Sequence, residues 1–323
     1  MGRRTFSELG VLGLYTESPL HCGTESGAGY VDLPIQRERH THYPVIPGST
    51  LKGVLKDELR GAEGLDEGEV LELFGYSEME GEGEDKKAKT RPGRIAFGDS
   101  TIAAFPVRSS GAPFHWVTCP FVLERVLRSL GRPALDREPE PGHAWAAEGG
   151  GDGPVLLEEL ALTPVARADL FDPDNESSVV HALLALLPDG PGFAHTRKIF
   201  PQRLLIVRDE DFGELVEIGT EVVTRIKLNY LGTTAMLKKE EHLEEDGTER
   251  PHEDCQGNLF VQELVPPETL FVAPLRAMEK ETSRCTKLLG ALEVIRVGGD
   301  ETVGRGVTHT RWWQPPASNG KEA

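Results

Sequence analysis

Between His21 and Gly48 the chain runs for 28 residues without helical or strand periodicity, yet its composition is not that of a disordered linker. Structureless stretches of this length inside a folded domain are usually functional. This one carries His21, Glu25, Asp32, Arg37, Glu38, Arg39, His40 and His42, with glycines at 23, 27 and 29. Breaking a phosphodiester through attack by a neighbouring 2′-hydroxyl needs a proton acceptor, charge stabilisation at phosphorus and a donor for the leaving oxygen. Carboxylate, imidazole and guanidinium groups supply these, as does a magnesium or other divalent cation held by a carboxylate such as Asp32. The plainer alternative makes Asp32, just before Leu33-Pro34, a turn residue and His21 an internally bonded histidine.

A second cluster is GGDETVGRG at 298–306. Starting at Gly299 it approaches the phosphate-binding GxxxxGK[ST] pattern. However, Arg305 stands for the lysine, Gly306 stands for the hydroxyl residue, and a strand-like run follows where a helix belongs. Nucleotide hydrolysis is therefore excluded. What survives is a loop of backbone N–H groups at Gly299, Gly304 and Gly306, plus the Arg305 guanidinium, suited to a nucleic-acid phosphate. A plain glycine-rich hairpin turn is the alternative. Lys52, Lys56 and Arg60 form a stripe on an expected helix whose N-terminus near Ser49 attracts anions. A solvated helix face would look the same. Trp312-Trp313 could stack bases but fit a core edge as well, and His252 with Cys255 lacks the company of a metal site.

The elements that must position these groups are legible in outline. Leu9 to Leu20 reads as a strand. Pro47-Gly48-Ser49 opens a helix with Leu51, Val54, Leu55 and Leu59 on one face and Ser49 as its N-cap. The Gly/Glu/Lys-rich stretch 77–94 reads as a loop, and 94–107 as strand structure. FVLERVLRSL, between Pro120 and Gly131, predicts a helix, and a further helix is expected over Glu176 to Leu187 with a cap near Asp174 or Asn175. VVTRIKLNYL (222–231) and NLFVQELV (258–265) read as the arms of a long hairpin around an acidic middle. A strand from Leu270, a helix around 278–290, a strand at Ala291–Val297 and a last strand from Val303 to Trp312 close the chain. Both ends offer β-α-β pieces, consistent with an α+β, ferredoxin-like core with large insertions.

Composition narrows the function classes. Hydrophobic residues make up 38% and charged residues 27% of 323 residues, an ordinary globular balance. No run approaches a membrane span, the N-terminus lacks a signal-peptide apolar stretch, and four scattered cysteines fit a reducing cytoplasm. The net charge of −18 is localised: segments 57–72, 78–85 and 240–254 hold 20 of the 53 acidic residues and two of the 35 basic ones. The rest of the chain is neutral, so a basic groove is not excluded.

Several strings together resemble the Cmr backbone subunit of the repeat-associated mysterious protein (RAMP) superfamily. They are LYTESPLHCG (14–23), VDLPIQRERHTHYPVIPGSTLKGVLK (31–56), GRIAFGDSTIAAFPVRS (93–109), WVTCPFVLER (116–125), GNLFVQELVPPETLF (257–271) and GGDETVGRGV (298–307). The resemblance implies a modified RNA-recognition fold in a single domain. Its palm core would cover about 1–60, 93–131 and 258–313, with a variable insertion at about 132–220, a thumb hairpin at about 222–262 and a disordered tail at about 314–323.

It further implies a type III-B CRISPR subunit that polymerises along guide RNA (crRNA), intrudes its thumb into the guide–target duplex and cleaves target RNA at regular intervals. Its partners would be copies of itself in a helical filament and the other Cmr subunits. Asp32 is then the catalytic residue, with His21 nearby, and Asp99 and Glu263 are further candidates for the same site. Arg37, Arg39, Ser49, Lys52 and Lys56 join the glycine loop as RNA contacts. A non-catalytic scaffold subunit and a guide-processing ribonuclease are the competing readings.

Overall fold

The computed structural model describes residues 6–24, 29–60, 66–80, 87–150, 153–227 and 258–315. The first half of the chain contributes β1 (Phe6–Thr16), β2 (Val45–Ile46), α1 (Gly48–Arg60), α2 (Glu67–Phe74), β3 (Gly75–Glu80), β4 (Lys87–Pro92), β5 (Ile95–Phe97), β6 (Ser100–Arg108), β7 (Phe114–Thr118) and α3 (Pro120–Ser129). The middle adds β8 (His143–Ala146), β9 (Val155–Leu157), β10 (Leu160–Ala166), α4 (Ala168–Phe171), α5 (Val179–Leu184), α6 (Ala194–Arg203), β11 (Leu204–Ile206) and α7 (Asp209–Ile218). The C-terminal part supplies β12 (Glu221–Lys227), β13 (Asn258–Leu264), β14 (Leu270–Met278), α8 (Thr282–Gly290), β15 (Val294–Arg296) and β16 (Val307–Trp313).

One mixed sheet organises the fold, in the order β15-β16-β1-β14-β6-β7-β11-β8-β10-β9. Its N- and C-terminal strands pair antiparallel, β1 with β14 and with β16, whereas β7–β11 and β8–β10 are parallel. Alternation along β1 explains how the sheet is buried on both sides. Leu12 and Leu14 join one apolar layer with α1, α2, α7 and α8, while Val11 and Tyr15 join the other with α3, α5 and α6. Leu51, Leu55 and Leu59 of α1 are buried, each contributing about 2 kcal/mol of transfer free energy. Gly13 is required where β1 meets the turn after α5, because a Cβ there would lie 2.1 Å from the Leu186 carbonyl.

Three expectations are corrected. The stretch 77–94 is not a plain loop: β3 and β4 pair antiparallel, with the Ser77 and Thr90 hydroxyls 3.1 Å apart across the ladder. Such cross-strand hydroxyl pairs stabilise strands whose composition looks loop-like. The helix expected over 176–187 is shorter, and its N-cap is Ser178, whose hydroxyl accepts from His181 N–H. Helix α1 begins one residue before Ser49, because the Asp99 carboxylate takes the cap role by accepting from Gly48 N–H at 2.8 Å. Trp312 and Trp313 pack against the two apolar layers, as the core-edge reading expected.

Strands β12 and β13 form a separate two-stranded sheet, and the acidic middle of the expected hairpin lies outside the described residues. A two-stranded ribbon is marginal alone, so backbone bridges such as Leu20–Val265 and side-chain ties to the rest of the chain decide where it sits. No helix among the described residues is long and apolar enough to cross a membrane.

Candidate active site

The free edge of β13, opposite the one paired with β12, gathers the chemistry. In a strand, the N–H and C=O of residues i and i+2 point to the same edge. Val261 and Glu263 share the edge facing the 21–48 segment. Asp32 N–H and Leu33 N–H both donate to the Val261 carbonyl, at 3.0 and 3.1 Å, and Glu263 N–H donates to the Leu33 carbonyl at 3.0 Å. Val261 N–H in turn donates to the Asp32 carboxylate, 2.8 Å from Oδ2, while Asp32 itself remains exposed. The carboxylate is therefore fixed without being buried.

His21 occupies the next position on the same edge, its Nδ1 2.9 Å from the Glu263 carbonyl. A carbonyl only accepts, so Nδ1 carries the proton and Nε2 is left with its lone pair in the neutral ring. Gly23 keeps the approach to Nε2 open, since a Cβ there would stand 2.6 Å from it. The two anchoring residues are two apart along the strand, so the points that hold Asp32 and His21 are about 7 Å apart.

Glu263 is placed differently from the other candidates. Its buried carboxylate accepts from Ile35 N–H at 3.1 Å, from the Arg37 guanidinium at 2.6 Å and from the Thr220 hydroxyl at 2.9 Å. Arg37 also donates to the His42 carbonyl at 2.7 Å. Both residues serve to hold the loop that carries Asp32. Glu38 holds the same loop to α3 through a two-pronged pair with Arg125, at 2.5 and 2.9 Å. Burial pushes the Glu38 carboxyl up, but hydrogen bonds from Arg125 and Thr41 outweigh it and hold the group below its usual range. Asp99 bonds to none of Asp32, His21 or Glu263: it caps α1 and lines a cavity of about 480 Å³ with Glu38 and Arg125.

The expected RNA contacts divide in the same way. Ser49 and Arg39 are exposed, and among the described residues neither Arg39 nor Lys52 has a side-chain partner. Lys56 Nζ donates to the Gly75 carbonyl at the C-terminal end of α2, at 2.9 Å, and Arg60 pairs with Glu67. In the glycine loop, Gly299 N–H donates to the His21 carbonyl at 2.9 Å, which brings this loop against the site. Gly304 points into open space, whereas Gly306 is packed against the backbone at Val297. Arg305 lies near Glu221, whose carboxyl is pushed up by burial and partly restored by the guanidinium.

Sequence reasoning missed Val261, because a backbone donor leaves no trace in side-chain type. It also missed Thr220, Arg225 and Asp300. Gln262 was findable: a polar residue within the apolar run of FVQELV, it is 1% exposed and its side chain has to find a partner.

Among the described residues no group of three His, Cys, Asp or Glu side chains could cage a metal ion. An exposed single carboxylate such as Asp32 nevertheless fits magnesium, which is commonly bound through one or two carboxylates together with phosphate oxygens.

The class to which this mixed α/β sheet core belongs is given by the comparisons. The chain belongs to the RAMP superfamily, whose family model matches residues 14–308. It is 34% identical over 308 residues to the CRISPR system Cmr endoribonuclease Cmr4 of Pyrococcus furiosus, covering 92% of both chains, and is homologous to it. The crystal structure of oligomeric Cmr4 from Pyrococcus furiosus superposes with a TM-score of 0.62 at 26% identity, over 94% of this chain and 97% of that one. The fold is shared as well with a chain of the cryo-EM structure of the type III-B Cmr-beta complex bound to cognate target RNA. There the TM-score is 0.63 at 20% identity, over 95% and 98% of the two chains.

Proposed function

We propose that this chain is a guide-RNA-binding backbone subunit of a type III-B CRISPR effector and that it cuts complementary target RNA at regular intervals. The single observation that carries the proposal is the Asp32 carboxylate, solvent-exposed yet fixed by Val261 N–H beside an imidazole whose Nε2 is free to exchange a proton. In the reaction, the 2′-hydroxyl loses its proton as its oxygen bonds to phosphorus, the bond to the 5′-oxygen breaks, and that oxygen takes up a proton. Asp32 and His21 are the groups placed to carry these protons, and Glu263 and Arg37 hold them in position. A divalent cation held by Asp32 and RNA phosphates would supply charge stabilisation at phosphorus.

The strand order β16-β1-β14-β6, with α1 between β1 and β6 and α8 between β14 and β16, supports a ferredoxin-like palm. The separate β12–β13 ribbon supports a thumb hairpin. Guide RNA would be tracked by Lys52, Arg39 and the glycine loop, with copies of this chain and other Cmr subunits as neighbours in the cytoplasm.

The test is a reconstituted complex carrying Asp32→Asn in every copy. Asparagine keeps the size and much of the hydrogen bonding, so assembly and guide binding should persist while target cutting falls by at least about a thousandfold. Cutting at full rate would leave the chain a scaffold.

A further inference from the structure

Strand β13 presents its two neighbouring polar side chains to opposite faces, as the pleat demands. Glu263 ties the loop of Asp32, and Gln262, on the other face, reaches the glycine loop. There Gln262 Nε2 donates to Asp300 Oδ2 at 2.7 Å, and Gln262 Oε1 accepts from the Arg225 guanidinium at 2.9 Å. Arg225 closes the triangle with its own charged hydrogen bond to Asp300 Oδ2, and is steadied from below by the Phe260 ring 5.7 Å away. Asp300 sits in the left-handed region, φ +66°, a conformation that few non-glycine residues other than Asp and Asn adopt readily.

The same short stretch reaches the other side of the site. Gly299 N–H donates to the His21 carbonyl, and Gly298 packs so tightly there that a Cβ would lie 2.3 Å from that oxygen. Residues 298–300 therefore grip both the backbone of His21 and the strand whose edge fixes Asp32 and the His21 ring. Because the β12–β13 ribbon is not part of the large sheet, ties of this kind, together with the Leu20–Val265 backbone bridge, set where Val261 and Glu263 stand relative to the core.

Building on the proposed function, we infer that Asp300 is a positioning residue for cleavage: through Arg225 and Gln262 it locks the glycine loop to β13 and so holds Asp32 and His21 in register with each other. Burial raises the Asp300 carboxyl, but the Gln262 hydrogen bond and the Arg225 charge outweigh it, so the acid is held ionised below its usual range. The role differs from binding RNA. An acidic side chain beside a phosphate would weaken binding, so it needs a separate reason to stand in a glycine loop that meets RNA.

The test uses the complete reconstituted complex. Asp300→Asn preserves size and the left-handed backbone but removes the charge that Arg225 faces. Single-turnover cleavage at saturating target RNA should slow about tenfold, with guide and target binding not weakened. Arg225→Ala should do the same, and the double variant should be no slower than the worse single one, since both break one clamp. Wild-type cleavage by Asp300→Asn, where Asp32→Asn is inactive, overturns this inference and leaves the proposed function standing. Full cleavage by Asp32→Asn overturns that function itself. Tighter RNA binding with an unchanged rate, or loss of assembly in both single variants, would also overturn a positioning role.

Discussion

Val261 N–H donates to the carboxylate of Asp32, 229 residues earlier in the chain, at 2.8 Å, and the Val261 carbonyl accepts from Asp32 N–H in return. The reciprocal pair makes the strand edge, and not the loop's own turn chemistry, the reason that Asp32 has a defined position. It also leaves the carboxylate at the surface, where a polynucleotide can reach it.

Replacing the target nucleotide just upstream of a scissile phosphate by its 2′-deoxy form should abolish cutting there and leave other sites intact, because the attacking hydroxyl is missing. Gel analysis of the fragments reads this directly. Chelation should reproduce the Asp32→Asn defect where a divalent cation takes part, and added magnesium should reverse it. A rate unchanged by chelator would assign the chemistry to Asp32 and His21 alone.

Lys52 and Lys56 lie on one stripe but should behave differently. Lys52→Glu should weaken guide RNA binding largely irrespective of RNA sequence and flatten its salt dependence by about one counterion. Lys56→Glu should also lower the melting temperature, because its ammonium caps the C-terminal end of α2 at the Gly75 carbonyl. Salt titrations of binding, paired with thermal melts, separate the two.

The glycines of the 298–306 loop should not be equivalent. At Gly306 a Cβ would stand 2.1 Å from the Val297 carbonyl with φ +75°, so Gly306→Ala should destabilise the fold by about 3 kcal/mol or more. Gly304, at φ +80°, opens to solvent, and Gly304→Ala should cost only the left-handed penalty, about 1 kcal/mol. Denaturant unfolding of both variants checks the order.

Glu38 makes a pH prediction. Its folded-state carboxyl lies below the usual range, so its contribution to stability is present above the unfolded pKa and is lost as pH falls through the folded one. Glu38→Gln should therefore destabilise near neutrality by about 2 kcal/mol, the scale of a charged hydrogen bond. The difference from wild type should shrink toward zero in acid, as measured by unfolding across pH.

The sequence by itself determined what is local. The leucine spacing of α1, the bracketing of α3 by Pro120 and Gly131, and the described parts of the strand-like arms, β12 and β13, follow from periodicity and from proline and glycine chemistry within a few residues. The unusual length and composition of 21–48 marked the region of the site, and its strings, with those of 298–307, pointed to the family. Tertiary structure alone decided which of the marked residues stay exposed and which are bonded inward. Arg37, expected as an RNA contact, and Glu263, a weaker candidate for the catalytic site, bond to each other across 226 residues and turn inward. Asp300, unmarked in sequence, and Gln262, marked only by its polarity within an apolar run, close the clamp on the opposite face. The physical reason is that the site is built on backbone hydrogen bonds between a loop and a strand edge far apart along the chain. Every residue type offers the same N–H and C=O there, so only the fold determines which of them meet.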